Sequence, residues 1–215
     1  WSRPGGYDRS SWSYEPWSGE SCGAWYEQTA CFVRMVEPRL DDFDVLSFQF
    51  SYLEVNAGSS IDDEPGGFFA GRARGSGVSD LEAFEARHPD KTVIYWTSSL
   101  ARGIGSADAE RFNDQMRAYA AARGKVLFDV ADILSHDPAG RPCFDNRDGI
   151  PYAGTGQAED HPDDGLDLPA ICQHYTTEAN GGHLGSISVG KIRVAKAFWV
   201  LMARLAGWDG AAGQH

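Results

Sequence analysis

His183 is the residue of this sequence best placed for acid–base chemistry. It stands between the pair Gly181 and Gly182 and a long amphipathic segment that begins near Ser188. The two glycines lack side chains, so other groups can approach the imidazole closely. A neutral imidazole accepts a proton near pH 7. We therefore predict that His183 is a general base at a loop-to-helix junction, and a polar residue in a turn is the alternative.

Polar residues also follow two apolar runs, FDVLSFQF at 43–50 and TVIYWT at 92–97. Gln49 lies inside the first run, where its amide needs a hydrogen-bond partner, and both a site position and a core hydrogen bond meet that need. Glu54 follows the same run and could do acid–base work beside a histidine, with a solvated loop position as the alternative. The further candidates, all for substrate binding, are Tyr52, Asn56, Ser98, Ser99 and Arg102.

The sequence carries no pattern that favours a metal or a bound cofactor. The acidic stretch DHPDDGLD at 160–167 lacks the alternating oxygen ligands and the final glutamate of an EF-hand, so we interpret it as a solvated turn. A Walker loop, a Gly-x-Ser-x-Gly elbow and a His-Glu-x-x-His motif are all missing from the sequence. We expect neither a metal nor a cofactor.

The four cysteines form a close pair, Cys22 and Cys31, and a wider pair, Cys143 and Cys172. Without a Cys-x-x-Cys unit, a zinc site is disfavoured. We predict disulfides 22–31 and 143–172, because each would hold a loop-rich segment. Disulfides form outside the cytosol, so this pairing predicts an exported protein whose signal peptide has been removed. Four buried free thiols in a cytosolic protein are the alternative.

Alternating strand and helix patterns would position these residues. Short apolar runs predict strands at FDVLSFQF, TVIYWT and KVLFDV, the last at 125–130. Helical periodicity marks 24–40, 79–88, 106–124 and about 188–206. This order predicts adjacent parallel strands with helices on both faces, a three-layer α/β/α fold. Ligands bind beyond the carboxyl ends of such strands, so the segments after Phe50, Thr97 and Val130 should border the site.

Local signals mark the helix limits. Ser79 with Glu82 predicts a capping box, Ser106 predicts the cap of the next helix, and Gly124 predicts its end. One apolar stripe of the last helix is predicted to face the core, formed by Ile192, Ala195, Trp199, Met202 and Leu205. The polar zone at 135–187 is long for a loop in a compact domain, and the predicted bond between Cys143 and Cys172 would hold it.

Length and charge restrict the class of protein. The 215 residues suit a single α/β domain, with an aromatic-rich loop segment at 1–23. The N-terminal aromatic residues are predicted to pack, and exposed sugar-stacking platforms are the alternative. A net charge of −12 disfavours nucleic acid and anionic membrane surfaces as partners. The longest apolar run, AFWVLMA at 197–203, is too short to cross a bilayer, so we expect no membrane insertion.

Several of these motifs together resemble the later two-thirds of an SGNH (GDSL-type) hydrolase domain, over about residues 24–208. The motifs are DVLSFQFSYLEV, TVIYWTSSLARGIG and NGGHL before a terminal helix. The resemblance implies a flavodoxin-like parallel sheet, a serine nucleophile after the first strand, and an oxyanion hole completed by glycine and asparagine. It also implies an Asp-x-x-His unit near the C-terminus, and it puts His183 in the position of the base.

The sequence departs from the family pattern at three places. Asn180 replaces the aspartate of Asp-x-x-His. It can orient the imidazole, but it stabilises an imidazolium less than a carboxylate would. Glu178 is the alternative residue for orienting the ring. For the oxyanion hole, Gln49 or Asn56 could supply the third donor, or that donor could be lost. No strand with a nucleophilic serine precedes the helix at 24–37, so that strand either lies upstream of this chain or has been lost.

From these features we predict an exported SGNH-type hydrolase, an esterase or deacylase, or another enzyme acting on carbohydrate, with His183 as general base. The substrate expectation rests on a Trp- and Tyr-rich, acidic and exported chain. The first alternative is a non-catalytic carbohydrate-binding domain on the same scaffold. The second is a serine-independent polysaccharide lyase or glycosidase in which Glu54 and His183 do the acid–base work.

Overall fold

Three parallel strands form the centre of the part of the chain that the structure describes. The structure is a computed structural model that describes residues 28–50, 55, 61, 77–100, 107–145, 166–176, 184 and 189–210. The strands are β1 (Val45–Phe48), β2 (Thr92–Trp96) and β3 (Val126–Phe128), in the order β1-β2-β3. Both pairs are parallel, with Val45 opposite Thr92 and Ile94 opposite Val126. The predicted parallel sheet is therefore confirmed, with strands shorter than the apolar runs that predicted them.

Helices precede, connect and follow the strands. They are α1 (Gln28–Val36), α2 (Val78–Arg87), α3 (Ala107–Arg123), α4 (Val130–Ser135) and α5 (Val189–Leu205), with 3-10 turns at Glu37–Asp42 and Gln173–Tyr175. Four of the helices confirm the periodicity predictions. The short helix α4 was not predicted. It forms because the Asp129 carboxylate accepts the backbone N–H of Asp132 and caps its first turn.

The start of α2 differs from the prediction. The helix begins at Val78, so Ser79 is not the N-cap and does not form a capping box with Glu82. Gly77 is the N-cap, and the Asp80 carboxylate accepts its backbone N–H at 3.4 Å. The shift brings Val78 into the core, where it is fully buried. Gly124 ends α3 with φ of +62°, as predicted, and the predicted cap Ser106 lies outside the described residues.

Side chains of the strands alternate between two apolar clusters, one on each face of the sheet. Val93 and Tyr95 of β2 point into the first cluster, where they meet Phe32 of α1, Phe84 of α2 and Phe112 of α3. Ile94 and Trp96 of the same strand belong to the second cluster, with Phe128 and with side chains of α4 and α5. Helices therefore cover both faces of the sheet, as expected for parallel strands.

The core-facing stripe of α5 differs from the predicted one. The side chains that pack on the second cluster are Val194, Ala197, Phe198, Leu201 and Met202. Of the predicted stripe, only Met202 lies among them, whereas Ile192 is 54 % exposed and Leu205 is 37 % exposed. The helix is thus rotated about its axis relative to the prediction. Its one buried residue is Gly190, which lies against the backbone of Tyr175.

A disulfide links Cys143 to Cys172, as predicted. The bond closes a separation of 29 residues, and a loop of this size stabilises the folded chain by about 3–4 kcal/mol in the chain-entropy model. Cys31 is also disulfide-bonded and fully buried, while Cys22 lies outside the described residues. Among the described helices, none is both long and apolar enough to cross a membrane.

Candidate functional site

The carboxyl ends of β1 and β2 are joined by the side chain of Gln49. Its amide nitrogen donates to the carbonyl oxygen of Thr97 at 3.1 Å and to the hydroxyl oxygen of Ser99 at 3.0 Å. Both amide hydrogens are therefore used within the protein. Gln49 has the partners that its half-buried position requires, and those partners lie at the edge of the sheet where a ligand is expected.

Thr97 links the end of β2 to the beginning of α4. Its side chain is fully buried, and its hydroxyl donates to the Asp129 carboxylate at 3.1 Å. The same hydroxyl oxygen accepts the backbone N–H of Ala131 at 3.0 Å. Because Asp129 also caps α4, one carboxylate fixes both the strand end and the helix that follows β3.

Ser98 and Ser99 differ in what they offer to a ligand. Ser98 is fully buried, and Asn113 of α3 accepts its backbone N–H at 2.8 Å. Its own hydroxyl donates to the carbonyl of Ser99 at 3.3 Å, so Ser98 serves the local structure. Ser99 is half-buried and accepts from Gln49, which leaves its hydroxyl hydrogen without an acceptor among the described residues. Ser99 is the better candidate for contact with substrate.

An ion-pair cluster supports the edge of the sheet from the side of α3. Arg117 donates to both oxygens of Asp129, through Nε at 2.7 Å and Nη2 at 3.2 Å. It also contacts Asp114 at 2.9 Å and Glu110 at 3.4 Å. Burial lowers the pKa of Arg117, but its hydrogen bonds to Asp129 outweigh this and raise the pKa overall. Arg117 therefore stays charged and holds Asp129 in place for Thr97.

Glu110 of α3 also has a shifted pKa. Burial raises its pKa, and the charge of Arg117 opposes that effect only in part. Its Oε2 atom is buried without a hydrogen-bond partner. These properties follow from its half-buried place on α3, with Arg117 3.4 Å from its other carboxylate oxygen.

One serine and one histidine do lie side by side, at Ser135 and His136, but they do not form a catalytic pair. The Ser135 hydroxyl lies 3.3 Å from Nδ1 of His136, and the backbone carbonyl of Asp132 lies 3.0 Å from the same nitrogen. The Asp132 carboxylate is also directed to Nδ1, at 3.3 Å. A catalytic triad uses the two ring nitrogens for different partners, so this arrangement cannot relay a proton from serine to carboxylate.

Three of the predicted site residues, Gln49, Ser98 and Ser99, fall within the described part of the chain. The structure places Gln49 and Ser99 in contact and Ser98 beside them. The remaining predicted site residues lie outside the described residues: Tyr52, Glu54, Asn56, Arg102, Glu178, Asn180 and His183. Leu184, which directly follows His183, packs against the second apolar cluster. The described part of the chain holds no group of three or more His, Cys, Asp or Glu side chains suited to a metal ion.

Sequence reasoning missed three residues that build this edge: Asn113, Arg117 and Asp129. Asn113 occurs in the middle of a helical pattern and Arg117 four residues later, where both are expected on a solvated face. Asp129 directly follows an apolar run, and this position could have marked it as a helix cap. The partners of Asn113 and Arg117 are distant in sequence, so no local pattern identifies them.

Comparisons with known proteins leave the family open. No family model, no curated protein and no solved structure matches the chain. The resemblance to SGNH hydrolases therefore stays a prediction that rests on the sequence motifs.

Proposed function

We propose that this chain is an exported hydrolase of the SGNH type that removes ester-linked groups from carbohydrate. The proposal includes a flavodoxin-like arrangement of the sheet and a single domain over 1–215. The observation that carries it is the contact between Gln49 and Ser99 at the carboxyl ends of the two neighbouring strands. This edge is where parallel sheets bind ligands, and it presents a hydroxyl group of fixed position.

In this proposal, Gln49 acts as a positioning residue for Ser99. The sequence favoured a role in polarising the substrate carbonyl, but an amide whose hydrogens both bond to Thr97 and Ser99 has none to offer. With its oxygen accepting from Gln49, the Ser99 hydroxyl can donate its hydrogen outward to a substrate oxygen. Asn56 then remains the candidate donor for the oxyanion that forms on the substrate.

The chemical step is assigned to His183. Its imidazole takes the proton of a hydroxyl nucleophile or of water as that oxygen bonds to the ester carbonyl carbon, and it returns the proton to the leaving alcohol. Asn180 or Glu178 orients the ring by accepting its other N–H. An amide at position 180 stabilises the imidazolium less than a carboxylate does, so we expect slower turnover than in enzymes that carry aspartate there.

Charge and compartment support the choice of substrate. A net charge of −12 favours a neutral carbohydrate ester over a polyanionic polymer. The bond between Cys143 and Cys172 fits an oxidising, extracellular compartment. The seven tryptophans and eight tyrosines of the chain supply side chains of the kind that stack on sugar rings.

A second candidate is a non-catalytic carbohydrate-binding domain. It is favoured because most polar groups at the sheet edge already have hydrogen-bond partners within the protein. Thr97, Ser98 and Asn113 bond to one another or to Asp129 and the backbone, which leaves few donors for an oxyanion. A site that only binds would need no more than the Ser99 hydroxyl and aromatic surfaces.

Release of acetate from an acetylated cello-oligosaccharide tests the proposal. We expect the intact chain to release acetate, and Ser99→Ala to raise KM by about fivefold to tenfold with little change in kcat, as for one lost hydrogen bond. Ser79→Ala, at an exposed position of α2, is the matched control and should leave both constants unchanged. Binding without acetate release would favour the binding domain, and new reducing ends would favour the glycosidase that uses Glu54 and His183.

A further inference from the structure

The outward face of α5 carries an apolar groove with cationic side chains along it. The cavity has a volume of about 410 Å³, and its lining includes Ile133, Pro138, Tyr175, Ile192, Lys196 and Val200. It lies along the flank of α5, where exposed side chains of the helix meet Ile133 of α4, Pro138 and the buried Tyr175. Among the described residues of the proposed hydrolytic site, neither Gln49 nor Ser99 lines it.

The apolar side chains of this groove are exposed to an unusual degree. Val189 is 59 % exposed, Ile192 is 54 % exposed and Val200 is 44 % exposed. The helical spacing of 189, 192, 196 and 200 puts these positions on one stripe. Aliphatic side chains aligned in this way, beside a concave surface, are typical of a surface that another protein segment covers.

The charge of α5 is opposite in sign to that of the whole chain. The helix carries four basic residues and no acidic one, whereas the chain has a net charge of −12. Lys196 is exposed and forms no ion pair with another described residue. Arg193 is held in place by its donation to the Ile133 carbonyl at 2.8 Å and by the Tyr175 ring, 5.0 Å away. The groove therefore combines apolar walls with fixed positive charge.

We propose that this groove binds an acidic segment of a partner protein that carries apolar side chains at helical spacing. The aliphatic stripe would receive the apolar side chains, and Lys196 and Arg193 would pair with the carboxylates beside them. A second copy of this chain is a poor occupant, because packing α5 on α5 would place the same cations opposite each other. An anionic membrane is also a poor occupant, because the remaining surface is strongly acidic.

Fluorescence anisotropy with a labelled synthetic peptide tests this proposal. The probe is a helical peptide of about 18 residues, in which leucines form one face and glutamates the rest, and its comparator has lysine at every glutamate. We expect the glutamate peptide to bind at least about tenfold more tightly than the lysine peptide, and hydrogen exchange to slow at 189–200. Equal binding of the two peptides would overturn the charge argument.

Variants of the groove locate the binding surface. Ile192→Asp and Lys196→Glu change exposed side chains, so the fold should be retained, and each should weaken peptide binding by about tenfold. The controls are Lys196→Arg, which keeps the charge, and Leu205→Asp, at an exposed apolar position outside the stripe. Both should bind the peptide within about twofold of the wild-type affinity. Unchanged binding by Ile192→Asp would overturn the proposal. Failure of the peptide to bind would also overturn it if the wild type instead self-associates or adsorbs to phosphatidylserine vesicles. In that case the Ile192→Asp variant would lose the self-association or the adsorption.

Discussion

At the scale of single residues, the edge of the sheet is set by polar side chains whose hydrogen bonds cross between elements. Gln49 connects β1 to the segment after β2, Thr97 connects that segment to α4, and Asn113 connects it to α3. Each bond is made in a buried or half-buried place, where an unpaired polar group is costly. The position of Ser99 therefore depends on residues that never touch a substrate.

Thr97→Val should destabilise the fold although valine has almost the same shape as threonine. The substitution leaves the buried N–H of Ala131 without its acceptor and removes the donor to Asp129, at a cost of about 1–3 kcal/mol. Urea denaturation measures the change in the free energy of unfolding. Thr92→Val, at a half-buried position of β2, is the control and should change it by less than about 0.5 kcal/mol. An equal effect of both substitutions would show that the hydroxyl of Thr97 has no special role.

Tyr95 should make the stability of the protein fall at alkaline pH. Burial raises its pKa above the ordinary value, and the carboxylate of Glu85, which accepts its hydroxyl hydrogen at 3.1 Å, raises it further. Above about pH 10 the unfolded chain loses this proton and the folded chain keeps it. The free energy of unfolding must therefore decrease as pH rises from there towards the folded pKa.

The variant Tyr95→Phe isolates this effect. Between pH 10 and 11.5 its free energy of unfolding should fall less steeply than that of the wild type, by up to about 1.4 kcal/mol per pH unit. Between pH 7 and 8 the two curves should run parallel, separated only by the lost hydrogen bond to Glu85. Parallel curves above pH 10 as well would mean that Tyr95 ionises equally in both states.

At the scale of elements, the sequence located the strands and most helices but not the face that α5 buries. Apolar runs such as TVIYWT indicate a buried strand whatever lies beside them. Helix α5 has apolar side chains all around its circumference, so periodicity cannot decide between the stripe of Ile192 and the stripe of Phe198. The contact of Gly190 with Tyr175 decides it, and this contact joins residues whose proximity no local pattern reveals.

Gly190→Ala should therefore destabilise the protein, although alanine is the better helix former by about 1 kcal/mol. A methyl group at this position would lie 2.5 Å from the carbonyl oxygen of Tyr175 and 2.9 Å from a methyl of Leu184. Since the first neighbour is backbone, α5 must move away, at a cost of about 1–3 kcal/mol. Urea denaturation measures the change in the free energy of unfolding. Val189→Ala, at an exposed position of the same helix, is the control and should be nearly neutral. Stabilisation by Gly190→Ala would show that α5 does not pack so closely.

At the scale of the whole molecule, the described residues form a parallel sheet with apolar clusters on both faces and a polar edge at the carboxyl ends of its strands. Sequence alone predicted this arrangement, because strand order and the position of helix-bearing connections follow from local patterns. It predicted less of the site. Gln49 inside one apolar run and Ser99 after the next were predicted from local sequence to lie near this edge, and they contact each other there. Asn113, Arg117 and Asp129 act through partners brought close only by folding.

The most direct test of the proposed hydrolysis is the rate of acetate release by His183→Ala. Two glycines precede His183 in the sequence. The next residue, Leu184, packs against the second apolar cluster and is unchanged in this variant, so the substitution should leave the fold intact. If His183 is the general base, kcat should fall by about 100-fold to 10,000-fold, while the urea midpoint and circular dichroism stay those of the wild type. A folded His183→Ala variant that releases acetate at the wild-type rate would contradict the proposed site.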